Sequence, residues 1–334
     1  MPVAPPPVAD ALLAVDDLTV EFPTRRGTLT AVRGVSFAIA AGEVLGLVGE
    51  SGAGKSVTGA AVIGLIDPPG RIASGRIVLD GRRIDDLPSA AMRRVRGREI
   101  GAVFQDPLTA LDPLYSIGRQ LVETIRAHLD LTEGQARERA LSLLADVGIP
   151  APASRFDQYP HQFSGGMRQR VVIALALAAA PRLIIADEPT TALDVSIQAQ
   201  IIALLKRLCR DHDTAVMLIT HDMGVIAETA DRVAVMYAGR VAEIGPVADV
   251  IHRPQHPYTA GLMGSIPSIV AEREQLAQID GTMPRLTAIP SGCAFNPRCP
   301  QVFDRCRHER PDLLPAGRTL AACWLHARDV ISVQ

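Results

Sequence analysis

The stretch that decides the fold is residues 49–56, which read G-E-S-G-A-G-K-S. It matches the pattern G-x-x-x-x-G-K-[ST] in full, between an apolar strand-like segment, Val44–Val48, and a helix-like segment, residues 55–66. In this context glycines let backbone N–H groups surround phosphates, with Lys55 on the β- and γ-phosphates and the Ser56 hydroxyl on Mg²⁺. The sequence therefore predicts a P-loop for a nucleoside triphosphate.

Two carboxylates follow another strand-like segment, residues 183–188, which reads L-I-I-A-D-E. If this strand lies in the same sheet as the P-loop, Asp187 can reach Mg²⁺ through its water shell, and Glu188 can act as general base on the attacking water. A carboxylate pair in this position is by itself often only the start of a helix. The P-loop in the same chain favours the catalytic interpretation.

Gln105 and His221 also end strand-like segments. A glutamine at such a strand end can ligate Mg²⁺ and orient water, and a histidine can hydrogen-bond a γ-phosphate. Taken alone, each residue is better explained as a solvated side chain.

Residues 159–170 read Y-P-H-Q-F-S-G-G-M-R-Q-R and place a serine and two glycines where a long apolar run begins. One interpretation is a loop with Ser164 as helix N-cap. The other is a second phosphate-binding surface, formed by backbone N–H groups, a hydroxyl and the positive end of a helix dipole. The choice depends on whether the rest of the chain handles phosphate.

Composition excludes several classes of protein. The chain has 334 residues, 48% of them hydrophobic, and a net charge of −2. The core is therefore sizeable, and the charge disfavours binding to nucleic acid. The longest apolar run, residues 171–180, is too short to span a bilayer, and the N-terminal M-P-V-A-P-P-P lacks the features of a signal peptide. We expect a cytosolic location.

Strands and helices alternate along much of the chain, which predicts a mostly parallel, doubly wound α/β sheet. Amphipathic helices interrupt this alternation at about residues 107–163. We predict a loose tail at residues 1–10, a main domain at 11–248 that includes the helical stretch, and a small appended domain at 249–334.

Together these elements resemble the ATP-binding-cassette (ABC) ATPases. The P-loop, Gln105, F-S-G-G-M at 163–167, L-I-I-A-D-E, T-A-L-D at 191–194 and His221 occur in the family order. The resemblance covers about residues 10–248. It implies a P-loop (RecA-like) core with an antiparallel β subdomain and an inserted helical subdomain, to which a small cysteine-rich C-terminal domain is added.

The resemblance also implies functional residues. Ser164, Gly165, Gly166 and Met167 would form the signature loop, which binds the γ-phosphate of ATP held by the opposite subunit. Phe163 and Met167 replace the outer residues of the usual L-S-G-G-Q.

Further implied positions lie around the nucleotide and at the dimer seam. Asp194 would be the D-loop aspartate, and Phe22 would stack on adenine, although a buried strand phenylalanine competes with that role. Catalysis would fall to Glu188, His221 and Gln105, and Mg²⁺ to Ser56, Gln105 and Asp187. The residues predicted to bind ATP are Gly49, Glu50, Ser51, Gly52, Ala53, Gly54, Lys55, Ser56, Val57 and Phe22.

Three longer stretches narrow the resemblance to the ATPase subunits of dipeptide and oligopeptide importers. They are residues 159–170, A-D-E-P-T-T-A-L-D-V and R-P-Q-H-P-Y-T, and the cysteine-containing tail agrees with them. The resemblance implies a heterodimer with a second ABC ATPase subunit, two transmembrane permease subunits and, indirectly, an extracytoplasmic solute-binding protein. It places the chain peripherally on the cytoplasmic face of the cell membrane. Nickel importers share much of this sequence and remain an alternative.

A soluble ABC ATPase of DNA repair or translation is the competing class. The DNA-repair forms carry a very long coiled coil before the signature, but here 58 residues separate Gln105 from Ser164. The translation forms carry two cassettes, and this chain has one. A catalytically inactive cassette is disfavoured because four residues are intact: Lys55, Asp187, Glu188 and His221.

Four of the five cysteines lie in the tail: Cys293, Cys299, Cys306 and Cys323. Disulfides are disfavoured in a reducing compartment. Structural zinc sites usually contain close C-x₂₋₄-C pairs, which are absent here, and Cys₄ ligation also suits an iron–sulfur cluster. The resemblance to peptide-importer ATPases favours a structural [4Fe–4S] cluster, with zinc and free thiols as alternatives. Cys209 is interpreted as a packing residue.

Overall fold

The computed structural model describes residues 11–25, 27–104, 106–191, 194–264 and 279–327. The chain divides into two compact units. The first comprises Met1–Ala40, Val44–Asp85 and Ile219–Gln334, and the second comprises Ala41–Glu43 and Asp86–Leu218. In the described part, no helix combines the length and the apolar character needed to cross a bilayer.

Both units contain strands and helices. The strands are β1 (Ala11–Thr24), β2 (Gly27–Ala40), β3 (Val44–Val48), β4 (Arg71–Leu79), β5 (Arg82–Arg83), β6 (Ile100–Val103), β7 (Leu183–Asp187), β8 (Ala215–Ile219), β9 (Arg232–Tyr237), β10 (Arg240–Pro246), β11 (Leu314–Ala316) and β12 (Thr319–Ala321). The helices are α1 (Lys55–Val62), α2 (Ser89–Val95), α3 (Pro107–Ala110), α4 (Ile117–His128), α5 (Glu133–Asp146), α6 (Pro152–Arg155), α7 (Gly165–Ala176), α8 (Val195–Asp211), α9 (Met223–Thr229), α10 (Val247–His252), α11 (Pro257–Gly264) and α12 (Asp304–His308).

The first unit contains an antiparallel sheet of order β2-β1-β4-β5 and the strand series β11-β12-β10-β9-β3. Strand β3 pairs in parallel with β9, with Leu45 opposite Arg232 and Val48 opposite Val235. All five residues of β3 are buried, which is typical of a parallel strand covered on both faces. This buried strand fixes the start of the P-loop.

The second unit contains the strand series β8-β7-β6, with β6 and β7 parallel, and the helices α2 to α8. Helices α3 to α6 fall in the stretch predicted to be helical. Helix α5 begins with a capping box, in which Thr132 and Gln135 exchange side-chain and main-chain hydrogen bonds. The α/β prediction is therefore confirmed, including the insertion of helices between strands.

The structure differs from the prediction at the end of α1 and in the tail. Helix α1 ends at Val62 instead of residue 66 because Gly64 takes a left-handed conformation, with φ of 62°, and stops the helix. In the tail, β11 and β12 form a hairpin that pairs with β10, with Glu243 opposite Ala321. These short strands were not predicted, because each contributes only three residues to the pairing and so shows no clear alternation of apolar and polar residues.

Candidate nucleotide-binding site

The loop between β3 and α1 needs glycine at two positions. Gly49 has φ of 148°, and a Cβ atom there would collide with the carbonyl oxygen of Met236. Gly54 has φ of 102°, and its Cβ atom would lie 2.8 Å from the Ala31 carbonyl oxygen. Both conformations are unfavourable for residues with a side chain. The loop therefore curls tightly against the neighbouring strands.

Lys55 supplies the positive charge inside this curl. Its side chain is buried, and Nζ donates hydrogen bonds to the carbonyl oxygens of Gly49 at 2.9 Å and Glu50 at 3.1 Å. Helix α1 begins at Lys55, and its N-cap residue is Gly54, which has no side chain to cap the helix. Main-chain N–H groups at a helix start and an enclosed ammonium form a cradle that suits phosphate.

The other residues predicted in the first unit lie at or near this cradle. Ser51, Gly52 and Ser56 are exposed, whereas Ala53 is buried. His221 is exposed, and the amide of the preceding residue, Thr220, donates to the carbonyl of Leu47 in β3 at 3.2 Å.

Phe22 in β1 is half-buried and packs beside Gly70, where an added Cβ atom would lie 2.5 Å from ring carbon Cε1. This contact is packing against the protein's own chain. Stacking of Phe22 on adenine stays a prediction.

Sequence reasoning missed two residues that hold the loop. The amide of Glu50 donates to the hydroxyl of Tyr258 in α11 at 3.0 Å, and Arg298 Nη1 donates to Glu50 Oε1 at 2.9 Å. Tyr258 lies in R-P-Q-H-P-Y-T and Arg298 directly precedes Cys299. No local sequence pattern connects either residue to the P-loop.

The predicted catalytic carboxylates lie in the second unit, where β7 ends at Asp187. Glu188 follows in a left-handed conformation, with φ of 47°, and Thr191 Oγ1 donates to its Oε2 at 2.7 Å. Such a backbone conformation is costly for a residue with a side chain and is concentrated at functional sites. The strained turn and the threonine together fix the direction of the Glu188 carboxylate.

Ser164 is the N-cap of α7 and accepts a hydrogen bond from the Met167 amide at 3.4 Å. The helix-cap interpretation is thus confirmed, and the exposed Ser164 also stands at a helix start, where anions bind. A Cβ atom on Gly166 would lie 2.8 Å from Ile197 Cγ2 in α8, so this glycine allows two helices to approach. Gly165 is the first residue of α7.

Asp194 and Gln105 were also predicted to act at the site. Asp194 is the exposed N-cap residue of α8, and its side chain makes no capping hydrogen bond. Gln105 lies outside the described residues, as do residues 1–10, which were predicted to form a loose tail.

The prediction of an iron–sulfur cluster is wrong. In the described ranges, no group of three or more His, Cys, Asp or Glu side chains is placed to hold a metal ion. The zinc alternative is likewise unsupported. The four residues line one cavity as free thiols: Cys293, Cys299, Cys306 and Cys323.

Burial also shifts the pKa of three of these thiols. Burial raises the pKa of Cys293 and Cys323 to about 11 and also raises the pKa of Cys299. Burial therefore disfavours the charged thiolate form of these three side chains. Cys209 is buried in α8, as predicted, and burial raises its pKa to about 12.

The site defines a P-loop nucleotide-binding protein. Its parts are the buried strand β3, the loop that needs Gly49 and Gly54, the buried Lys55 and the start of α1. A family model described as ABC transporter matches residues 32–191, and one described as the C-terminal region of oligopeptide/dipeptide transporters matches residues 242–306. The dipeptide transport ATP-binding protein DppD of Bacillus subtilis is 49% identical, covering 95% of both chains. The oligopeptide transport ATP-binding protein OppD of Salmonella typhimurium is 45% identical, covering 98% of this chain and 97% of the relative.

Solved structures agree with these matches. The ATP-binding cassette MJ0796, in a dimeric post-hydrolysis state bound to ADP and Pi, aligns with a TM-score of 0.63 at 28% identity. The alignment covers 70% of this chain and 98% of that chain. The chain belongs to the ABC transporter family, in the branch of the dipeptide and oligopeptide transport ATP-binding proteins. It is an ABC-type ATPase, an activity that implies ATP and Mg²⁺, and the predicted ABC fold is confirmed.

Proposed function

We propose that this chain is the ATP-hydrolysing, energy-coupling subunit of an importer for dipeptides or oligopeptides. The observation that supports the proposal is the presence, in one chain, of a P-loop cassette and the C-terminal region of peptide transporters. Relatives named for dipeptide and oligopeptide transport match nearly the full length. The chain would act on the cytoplasmic face of the cell membrane, bound to two permease subunits and served by an extracytoplasmic solute-binding protein.

In the proposed mechanism, the amides of the P-loop and the Lys55 ammonium bind the β- and γ-phosphates and offset their charge. Glu188 accepts a proton from water as the water oxygen bonds to the γ-phosphorus and the bond from that phosphorus to the ADP oxygen breaks. His221 donates a hydrogen bond to the γ-phosphate. Ser56, Gln105 and, through water, Asp187 would hold Mg²⁺, which would supply neutralisation of the phosphate charge.

The signature loop would act on a second nucleotide. Ser164 and the helix start at Gly165 and Gly166 would bind the γ-phosphate of ATP held by a partner ATPase, with Met167 and Asp194 at the seam. Their position at the N-termini of α7 and α8 supports this role, because helix starts favour anions. The resemblance to peptide importers favours a heterodimer.

The proposed domain boundaries are 11–248 for the ATPase domain and 249–334 for the C-terminal domain.

The test is transport by the reconstituted complex. The chain is copurified with its permease, placed in proteoliposomes with the solute-binding protein, and supplied with ATP and either a dipeptide, a mixed pentapeptide or Ni²⁺. We expect uptake of peptide that requires ATP. Uptake of Ni²⁺ with no uptake of either peptide would overturn the peptide assignment and favour the nickel importers.

A further inference from the structure

The C-terminal region contacts the P-loop at Glu50. Arg298 Nη1 donates to Glu50 Oε1 at 2.9 Å and to the hydroxyl of Tyr237 at 3.3 Å. Its Nε donates to the carbonyl of Asp280 at 2.9 Å, and its Nη2 to that of Gly281 at 3.3 Å. The Arg298 side chain is only 8% exposed. The guanidinium is therefore locked by its own segment and points a charge-assisted hydrogen bond at the P-loop.

Tyr258 fixes the main chain of the same P-loop residue. It is fully buried, and its hydroxyl accepts the hydrogen bond from the Glu50 amide at 3.0 Å. The ring of Tyr258 packs against Tyr237, with centroids 4.6 Å apart, and against Phe295 at 5.5 Å. Because aromatic rings packed in this way move little, the hydroxyl is a rigid anchor. Glu50 is held at its side chain and at its amide by residues 248 and 208 positions away.

Glu50 also contacts Lys55, the residue that would bind the phosphates. The Glu50 carbonyl accepts hydrogen bonds from Lys55 Nζ at 3.1 Å and from the Ala53 amide at 3.1 Å. A carboxylate at this place in the loop repels an anionic nucleotide unless a positive charge offsets it. Arg298 supplies that charge without belonging to the loop.

We propose that Arg298 is a positioning residue for ATP binding, which neutralises the Glu50 carboxylate from the C-terminal region. Tyr258 holds the main chain of the same residue, because its hydroxyl accepts a hydrogen bond from the Glu50 amide. This inference rests on the proposed function and adds a role for the C-terminal region in nucleotide affinity. Arg298 acts through Glu50 and Lys55 and touches no substrate atom.

The experiment compares Arg298→Gln, Arg298→Lys and the double variant Arg298→Gln with Glu50→Gln. ATP affinity is measured by nucleotide titration of the full chain, and KM and kcat are measured in the complex with the permease. We expect Arg298→Gln to raise the ATP Kd and KM about tenfold, equivalent to about 1.4 kcal/mol, with kcat changed less than about twofold. Arg298→Lys retains the charge, so its loss should be smaller.

The double variant separates charge from structure. If Arg298 neutralises Glu50, removing both charges should bring the ATP Kd back to within about threefold of wild type. An ATP Kd in the double variant as poor as in Arg298→Gln would overturn the inference, and so would a wild-type Kd in Arg298→Gln.

Arg305→Gln is the matched control, because Arg305 lies in the same segment and also makes an ion pair and an aromatic contact. Its Nε lies 2.7 Å from Glu309 Oε2, and its Cζ lies 3.7 Å from the centroid of the Trp324 ring. It should keep the wild-type ATP Kd, and an equal rise in both arginine variants would refute a specific role. Thermal unfolding without nucleotide confirms that each variant is folded. Loss of ATP binding in the wild-type chain itself would instead contradict the proposed function.

Discussion

At the scale of single residues, Glu188 combines a left-handed backbone, a hydrogen bond from Thr191 and a position directly after Asp187. None of these features alone identifies a base. Together they show a carboxylate with a fixed direction at the end of a parallel strand, where the ligands of α/β proteins bind. A change that keeps the shape but removes the basic oxygen tests the role directly.

Glu188→Gln should leave ATP binding close to wild type and lower steady-state hydrolysis by about 10²–10⁴-fold, because a general base contributes about that much. Turnover of the assembled transporter is the measurement, with ATP titration as the check on binding. Glu133→Gln, at a glutamate whose side chain is 83% exposed in α5, is the control and should hydrolyse normally. An unimpaired Glu188→Gln enzyme would remove Glu188 from this role.

His256 is a second residue with a defined expectation. Burial, and secondly the charge of His326, lower its pKa from the ordinary 6.5 to about 4. Its Nδ1 accepts a hydrogen bond from the Tyr258 amide at 3.0 Å, which requires the nitrogen to be unprotonated, and its own amide donates to Glu243 at 2.9 Å. The unfolded state therefore binds more protons than the folded state between these two pKa values.

Because the unfolded state takes up the proton first, the stability contributed by neutral His256 is present above pH 6.5 and is lost as pH falls towards 4. The full difference is on the order of 3 kcal/mol. We expect the gap in unfolding midpoint between wild type and His256→Gln to shrink across this window. His308→Gln, at a side chain 70% exposed, serves as control. A gap that stays constant from pH 7 to pH 4 would contradict the assignment.

At the scale of elements, the packing of α7 on α8 depends on the missing side chain of Gly166. A Cβ atom there would lie 2.8 Å from Ile197 Cγ2, closer than van der Waals contact allows. Gly134 in α5 offers a matched comparison, because nothing lies within 4 Å of its added Cβ atom. The same substitution should therefore have opposite effects in the two helices.

Gly166→Ala should destabilise the chain by about 1–3 kcal/mol through overpacking, whereas Gly134→Ala should be neutral or stabilising by up to about 1 kcal/mol. Denaturant unfolding measures both. Adding Ile197→Ala to Gly166→Ala removes the clashing methyl, so Gly166→Ala should cost less in that background. Equal costs in the two backgrounds would show that the contact does not matter.

At the scale of the whole molecule, the chain presents a P-loop and a signature loop that the proposed mechanism assigns to different nucleotides. The solved cassette MJ0796 is described as a dimer. If each ATP needs a signature loop from a partner, a single chain has no complete site. This arrangement predicts how activity depends on assembly.

The isolated chain should be a poor ATPase, and the rate per chain should rise when a sister cassette and the permease are added. Native mass measurement of the purified transporter should find one copy of this chain and one different cassette. Two copies of this chain with no second cassette would rule out the heterodimer. A full rate in dilute, monomeric protein would rule out the shared site.

Much of the cassette could be predicted from the sequence because its signals are local. The apolar run V-L-G-L-V defined β3 at its observed bounds, and the pattern of glycines with Lys55 and Ser56 defined the P-loop. The start of α7 could also be predicted, because Ser164 was recognised as a helix N-cap residue. A turn, a cap or a buried strand is specified by neighbouring residues, so it leaves a pattern that can be read along the chain.

Only the tertiary structure decided what lies far apart in sequence. It showed Arg298 on Glu50 across 248 positions, and it corrected the metal site predicted from four cysteines. Spacing along the chain shows which residues can gather, but their protonation and geometry depend on burial by elements from elsewhere in the fold. For this reason the sequence determined the class of protein and its P-loop, while the contacts that hold the loop were decided by packing.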